Sequence, residues 1–459
     1  MKDGSDRDRP LGRGRAWRRA ALLPLLLLAA LPAPAAPVTG PALGLGDVLR
    51  LAGDQSAAAA TAKAAVDEAD AVVDQARATW WPSLDASAEY TVRDNPVEAQ
   101  AGTLRFPTAE KNSGQYALEA RAVVWDGGRR SLVVAAAEAQ ADAARQGGLA
   151  GVRQAQMGAV DAYLSALELG GASGVLAQRR EALRSHLAIA KDLFDHGLVA
   201  RNDLLETEVR GREVDDQIAA IADRREMAVR DLNRRLGRDP SGALVLPDSL
   251  AEAPALADDR RELETATAGA NAAVLAAAAR VRLNESLVGL ARRAGHPSLF
   301  VGATHAFSQN DFMVHEAMNF VQAGVHWNLF DGGSRASQVR QASARTVAAE
   351  REKLEADRGA QVALDGAWRR WEQARRELQT ARANVEAARE NLRLVEDQYG
   401  EGLAKSGDVL DAEAMLAQSR HDVVRRHYAA YRAQTELLLL AGRDAPAFYG
   451  TAEAAQVKE

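Results

Sequence analysis

The sequence predicts a mostly α-helical chain that carries a small set of membrane-type β-strands, and three observations predict it. Two long spans contain no proline, four stretches alternate between apolar and polar positions, and the whole layout occurs twice. The composition agrees. Of 459 residues, 47% are hydrophobic but only 5% aromatic. Alanine takes up the difference, which suits long, closely packed helices better than a bulky globular core.

Residues 1–35 read as an address. Arg13, Arg15, Arg18 and Arg19 precede an apolar run at 20–31, and Ala33-Pro34-Ala35 puts small residues at the cleavage positions of a secretory signal peptide. The run is shorter than the roughly 20 residues of a spanning helix; an uncleaved anchor is the alternative. No later stretch reaches about 18 consecutive apolar residues. An exported chain without a transmembrane helix is therefore expected, either secreted in soluble form or built into a membrane β-barrel. Beyond residue 35 the chain has 50 basic and 60 acidic residues. An acidic body without a basic stripe argues against nucleic acid as a partner. With no cysteine, disulfides, thiolate metal sites, a cysteine nucleophile and a thiol-linked lipid are excluded.

After Pro107 no proline occurs until Pro240, and after Pro297 none until Pro446. Within these spans, rich in Ala, Leu, Glu, Gln and Arg, residues 129–193 and 335–398 each read as one long helix. The glycines at 147, 148, 151, 158, 170, 171 and 174 weaken the first of them. The halves match in register. Trp125-Asp126-Gly127-Gly128 answers Phe330-Asp331-Gly332-Gly333 at an offset of 205. At the same offset Phe194-Asp195-His196-Gly197-Leu198 answers Tyr399-Gly400-Glu401-Gly402-Leu403, and Leu236-Gly237-Arg238-Asp239 answers Ala441-Gly442-Arg443-Asp444. Pro82-Ser83-Leu84 answers Pro297-Ser298-Leu299 at 215, so the first copy has ten extra residues before its Asp-Gly-Gly turn. Such spacing predicts an internal duplication, with a period too long for a solenoid of short repeats. Each copy reads as a helix (46–79, then 258–293), a strand, a loop, a second strand, the long helix, a Gly-Leu turn and a return helix (202–236, then 406–440).

The strands point to a membrane. Leu84, Ala86, Ala88, Tyr90 and Val92 share one face, against Ser83, Asp85, Ser87, Glu89, Thr91 and Arg93. Tyr116, Leu118, Ala120, Ala122 and Val124 repeat the pattern, as do Leu299, Val301, Ala303, His305 and Phe307, and Val321, Ala323, Val325, Trp327 and Leu329. Trp80, Trp81, Trp125 and Phe330 gather where strands meet helices, as an interfacial aromatic belt does. An antiparallel sheet on a soluble core is the alternative. Four strands cannot close a membrane barrel, which needs about 8, so pooling between chains is expected; three chains give twelve strands. Ala136, Ala139 and Ala143, with Ala342, Ala349 and Ala356 in the second copy, put small side chains on helix faces that can pack closely into a hollow tube.

At this point the chain resembles the TolC family of outer-membrane channel proteins over essentially all of the mature sequence. The resemblance rests on the duplicated layout, the Asp-Gly-Gly turns and the two hairpin tips, chiefly Gly197-Leu198-Val199-Ala200-Arg201-Asn202-Asp203, Tyr399-Gly400-Glu401-Gly402 and Asp408-Val409-Leu410-Asp411-Ala412. It implies a homotrimer with a twelve-stranded β-barrel, four strands per protomer, in the outer membrane and a long α-helical barrel in the periplasm. It implies the exit duct of a tripartite efflux pump or type I secretion system, fed by an inner-membrane transporter (a pump or an ATP-driven exporter) through a periplasmic adaptor protein. By position, Asp408 and Asp411 match the acidic residues of the periplasmic constriction, where rings of three carboxylates favour cations; Asp203 and Glu206 are their counterparts at the 205 offset. Tyr399 and Asp203 match residues that hold the tip closed. Ala404 stands where the basic member of that latch is expected, which leaves Lys405 or Arg201 to substitute. A plain helix N-terminal acid is the other reading of Asp408. The turns Gly197-Leu198 and Gly402-Leu403 look like the adaptor-docking surface, and glycine also ends a helix cheaply there. The lack of cysteine places the chain with the unlipidated branch.

No catalytic, cofactor or metal site is expected. Gly400–Ser406 lacks the glycine before the lysine that a phosphate loop needs; His315-Glu316 does not continue to a second histidine, and His421 and His427 share no helical face. The competing functions are a periplasmic adaptor with coiled-coil hairpins and a secreted helical enzyme. The resulting division is a signal peptide (1–35), a first repeat (36–238), an inter-repeat or equatorial segment (239–257), a second repeat (258–445) and a tail (446–459).

Overall fold

The computed structural model describes residues 42–197, 199–256 and 259–456. The signal-peptide reading of 1–35 and the tip residue Leu198 lie outside them. The chain is mostly helical with a small sheet. Each half runs through two helices, then strands, then a helix of 67 residues and a helix of 35. The first half holds α1 (Leu45–Gln55), α2 (Ala57–Ala78), β1 (Ser83–Val92), β2 (Val97–Ala101), β3 (Leu104–Ala109), β4 (Asn112–Trp125), α3 (Arg129–Asp195) and α4 (Arg201–Arg235). The second holds α5 (Arg260–Ala270), α6 (Ala272–Arg293), β5 (Ser298–Ser308), β6 (Ala317–His326), α7 (Ser334–Gly400) and α8 (Ser406–Leu440), followed by α9 (Ala445–Gln456). At 1.5 Å per residue α3 and α7 are each about 100 Å long. Among the described residues no helix is long and apolar enough to cross a membrane.

Four features differ from the sequence expectation. The helix expected over 46–79 is broken at Ser56, whose extended backbone (ψ 155°) ends α1 and whose hydroxyl accepts from Ala59 N–H at 3.1 Å. The helix expected over 258–293 is broken at Asn271, whose side chain accepts from Ala273 and Val274 N–H. Both residues cap the following helix, because a short polar side chain satisfies backbone donors that have no partner within the helix. The loop expected between the first pair of strands contains the β2–β3 hairpin, which accounts for the extra residues of the first copy. The expected tail is helical: Pro446 sits in the first turn of α9, where its missing N–H costs nothing.

The four long strands form one antiparallel sheet in the order β1-β4-β5-β6. Its register keeps the faces pure. Leu84, Ala120, Ala303 and Val321 lie in one row, and Ala88, Tyr116, Phe307 and Ala317 in another. On the same face His305 and Asn319 stand opposite each other and satisfy one another at 2.7 Å. The other face carries Asp85 beside Glu119, Glu89 beside Gln115, and Arg121, whose guanidinium lies 4.4 Å from the Phe300 ring. A bulge between Val123 and Trp125 brings Trp125 opposite Leu299, onto the apolar face. Nothing among the described residues covers that face: Val321 is 83% exposed and Leu84 69%.

Strand passes to helix through the Asp-Gly-Gly turns. Asp126 accepts from the N–H groups of Gly128, Arg129 and Arg130, and its carboxylate pairs with the Arg130 guanidinium at 3.2 Å. Asp331 accepts from Gly333 and Arg335 N–H and from Arg335 Nε at 2.9 Å. The glycines bend the chain into a left-handed conformation (φ 66° and 79° in the first turn), which a side chain would strain. From there α3 packs against α2, α4, α6 and α8, and α7 against α6 and α8. Part of the glycine-rich stretch of α3 lets its partners come close: a Cβ at Gly171 would lie 2.7 Å from Val424 of α8, whereas Gly147, Gly151 and Gly174 face open space.

The largest core sits midway, where α1, α3, α4, α8 and α9 meet around Leu49, Tyr163, Leu167, Leu232, Leu438 and Tyr449. The segment joining the halves is fastened to α8 there. Gln434 donates to the Pro254 carbonyl, Tyr431 to that of Ala251, and His427 lies 3.1 Å from that of Leu250.

Candidate functional site at the hairpin tips

Each long helix turns back at a glycine. Gly197 and Gly402 both have φ 75°, and their N–H groups donate to Phe194 and Tyr399 carbonyls at 2.8 and 3.0 Å. This closes the orphan carbonyls of α3 and α7 by the left-handed C-cap geometry. In the second tip Leu403 and Ala404 N–H both point at the Gln398 carbonyl, and the Leu403 side chain is left 76% exposed.

The return helix α8 opens with an internal cap: the Lys405 N–H donates to the Asp408 carboxylate at 2.8 Å. Asp408 thus works as a helix N-terminal acid, and its exposed carboxylate also faces solvent, as does that of Asp411 one turn on. Asp203 occupies the first turn of α4, partly buried. Arg201 and Lys405 are exposed, and neither side chain has an ion-pair partner among the described residues.

The structure brings together a different set. His186, buried on α3, lies 2.8 Å from the Ser406 hydroxyl at the start of α8. Its ring packs at 5.3 Å on that of Tyr399, at the end of α7. Burial lowers the His186 pKa, opposed by the nearby negative charge of Asp203; burial and the same charge raise that of Tyr399. The Tyr399 hydroxyl is buried beside Ser406 without the geometry of a hydrogen bond. So the Tyr399 hydroxyl lies within reach of the charge of Asp203, with His186 and Ser406 linking α3 to α8, whereas Lys405 and Arg201 are exposed. Sequence reasoning missed His186 because a single histidine inside a long helix carries no spacing signal.

Two turns deeper, Glu413 is only 6% exposed, flanked by Arg179 of α3 and Glu396 of α7, and its Oε2 has no hydrogen-bond partner. Burial first, then the like charge of Glu396, pushes its carboxyl up to about 7. One turn nearer the tip, Leu410 clusters with Leu183 and Val214 in an apolar layer. Among the described residues no group of three or more His, Cys, Asp or Glu could hold a metal ion.

The model of the outer membrane efflux protein family matches residues 48–238 and 263–443, so both halves are included. The chain is similar to the outer membrane efflux protein BepC of Brucella suis, 24% identical over 343 residues, which is 71% of this chain and 73% of that one. In fold it is similar to the outer membrane protein VceC of Vibrio cholerae, with 18% identity, a TM-score of 0.74, and 87% of this chain and 96% of that chain covered. It is likewise similar to the open state of the MtrE outer membrane channel of Neisseria gonorrhoeae, with 17% identity, a TM-score of 0.71, and 88% and 89% covered. The members of this group are channels and not enzymes. The chain belongs to the outer membrane efflux protein family, the TolC-type channels, and is an outer-membrane efflux channel protein whose helical part stands in the periplasm.

Proposed function

We propose that three copies of this chain close into a twelve-stranded barrel continuous with a tunnel of twelve helices, and that this duct is the exit of a tripartite efflux pump. A type I secretion system would use the same duct; the names of the relatives, efflux proteins among them, favour the pump. One observation carries the reading. The four-stranded sheet has its outer edges, at β1 and β6, unpaired among the described residues, and its apolar face is bare. An exposed apolar wall is unstable in water and at home in lipid, whereas unpaired backbone edges are costly in lipid above all, and only closure removes them. Four strands per copy fall short of the smallest barrel, of about 8 strands, and three copies exceed it. The adaptor reading is set aside by the family match. An adaptor protein remains the expected partner at Gly197, Leu198, Gly402 and Leu403, joining the tunnel to an inner-membrane transporter that supplies the energy.

Within this assembly Asp408 and Asp411, with Asp203 behind them, would form rings of three at the narrow periplasmic end. Clustered carboxylates favour cations. Tyr399 is the inner half of the latch, and Lys405 and Arg201 are free to reach acids of a neighbouring copy. The full chain, purified in detergent, is expected to run as a heat-modifiable trimer and to give cation-preferring conductance in planar bilayers. The double variant Asp408→Ala/Asp411→Ala should conduct with that preference weakened. A water-soluble monomer that needs no detergent would overturn the duct; unchanged selectivity would remove only the two aspartates from the constriction.

A further inference from the structure

The junction between strands and helices holds more positive charge than its own acids balance. Arg129 and Arg130 open α3, Arg335 stands in the first turn of α7, and Arg292 and Arg293 end α6. The two nearby carboxylates, Asp126 and Asp331, are taken by Arg130 and Arg335. The guanidinium groups of Arg129, Arg292 and Arg293 have no partner among the described residues. Arg129 is placed at an unfavourable spot, because the N-terminus of a helix already carries positive partial charge. Arg293 is brought to the same turn: its Cζ lies 3.8 Å from where a Cβ on Gly128, the residue before Arg129, would be. Unpaired like charges gathered in this way call for an anion from outside the chain.

The same level is marked by aromatic side chains. Trp80 stacks on Arg130 at 4.3 Å, the Trp327 indole donates to the Gly295 carbonyl at 3.0 Å, and Phe330 is 86% exposed. All four long strands start or end here, so this is one rim of the apolar wall. Tryptophans with arginines at such a rim sit at headgroup depth.

We propose that this junction binds the phosphate groups of phospholipids in the periplasmic leaflet of the outer membrane and favours anionic phospholipids, with Arg129, Arg292 and Arg293 as the phosphate ligands. Guanidinium suits the task, since its planar fork holds two phosphate oxygens and is weakly hydrated. An anionic lipid is favoured over a zwitterionic one because it brings no cation of its own against the arginines. The inference rests on the barrel reading above and adds the lipid class.

The test uses the full-length protein in detergent with phosphatidylglycerol or phosphatidylcholine added at equal mole fraction, and counts bound lipid by native mass spectrometry. Wild type should retain phosphatidylglycerol at least about tenfold better, since each arginine near an anionic surface contributes roughly fivefold. Arg129→Gln/Arg292→Gln/Arg293→Gln should bring the two lipids to within about twofold, while the triple Lys variant keeps part of the preference. Should the Gln triple fail to assemble, Arg292→Gln alone decides, with an expected loss of roughly fivefold. Equal retention by wild type, or an unchanged preference in the Gln variants, overturns the inference. Trimer formation and bilayer insertion are read on the same samples. A trimer that inserts without discriminating lipids leaves the duct standing and this inference refuted, whereas a chain that does not insert refutes both.

Discussion

Glu413 is the residue through which the packing of α8 against α3 and α7 depends most directly on pH. Its carboxyl is at about 7 in the packed state. If α8 swings away from α3, it regains water and an ordinary value of about 4.5. The packed state therefore carries no charge penalty below about pH 4.5, loses stability as pH rises from there to about 7, and loses no more above it. The total is about 3 kcal/mol. His186 acts in the opposite sense. Its value is lowered by burial, so the packed state is weakened as pH falls below about 6.5. The two slopes oppose each other in mildly acidic solution, and the Glu413→Gln variant separates them. It should hold the hairpins together better than wild type by up to about 3 kcal/mol at pH 8 and by little at pH 5. Amide hydrogen exchange over the first turns of α8, which His186 and Ser406 tie to α3, reports the hairpin contact. A variant that tracks wild type at both pH values would remove Glu413 from the mechanism. At the same tip, His186→Ala leaves Ser406 and Tyr399 without their partner and should speed opening by about tenfold, the value of one lost buried hydrogen bond.

At the scale of elements the most consequential parts are the Asp-Gly-Gly turns, where one carboxylate holds several N–H groups and an arginine. Asp331→Ala should destabilise the start of α7, which loses its backbone cap and its arginine partner together, read as a lower midpoint in thermal unfolding of the helical signal. Asp331→Asn, which still accepts backbone hydrogen bonds, should cost less. Equal losses would mean that the ion pair with Arg335, and not the cap, carries the turn. These turns also show why much of the fold was legible. The ends of the four hairpin helices could be read to within two residues, because Asp-Gly-Gly, the tip glycines and the Leu-Gly-Arg-Asp motif mark them. The breaks at Ser56 and Asn271 were hidden, since neither is flanked by proline or by a change in composition. The β2–β3 hairpin was hidden because proline argues against a strand, whereas Pro107 lies in a two-stranded ribbon whose register shifts between Val97 and Glu98. At the tip, the positions of Tyr399 and Asp203 could be read from the motif. The surroundings of His186 and of Glu413 could not, because they form only when α3, α7 and α8 converge.

For the whole molecule, closure of the sheet and separation of the helices answer to different solvents. The sheet is exposed on its apolar face and at both edges, so removal of detergent should aggregate the strands while the helical part keeps its secondary structure. Circular dichroism and light scattering on one sample check this; loss of both signals together would mean that the parts are not separable. The midway core, where α1 and α9 lock the joining segment onto α8, is what lets one chain present both hairpins side by side. Tyr449, buried and hydrogen-bonded to Thr435, is its anchor. Tyr449→Ala should cost about 3 kcal/mol without touching the pore.

One consequence follows from the equal spans of α3 and α7, and of α4 and α8. Deleting seven residues from one outgoing arm would draw its end back by about 10 Å, two helical turns, while the other arm kept its reach. The rim offered to whatever abuts it would then be notched instead of level. Changes of length in one half are thus tolerated only when the other half changes by the same amount, and the reach of this protein is set as a single dimension written twice.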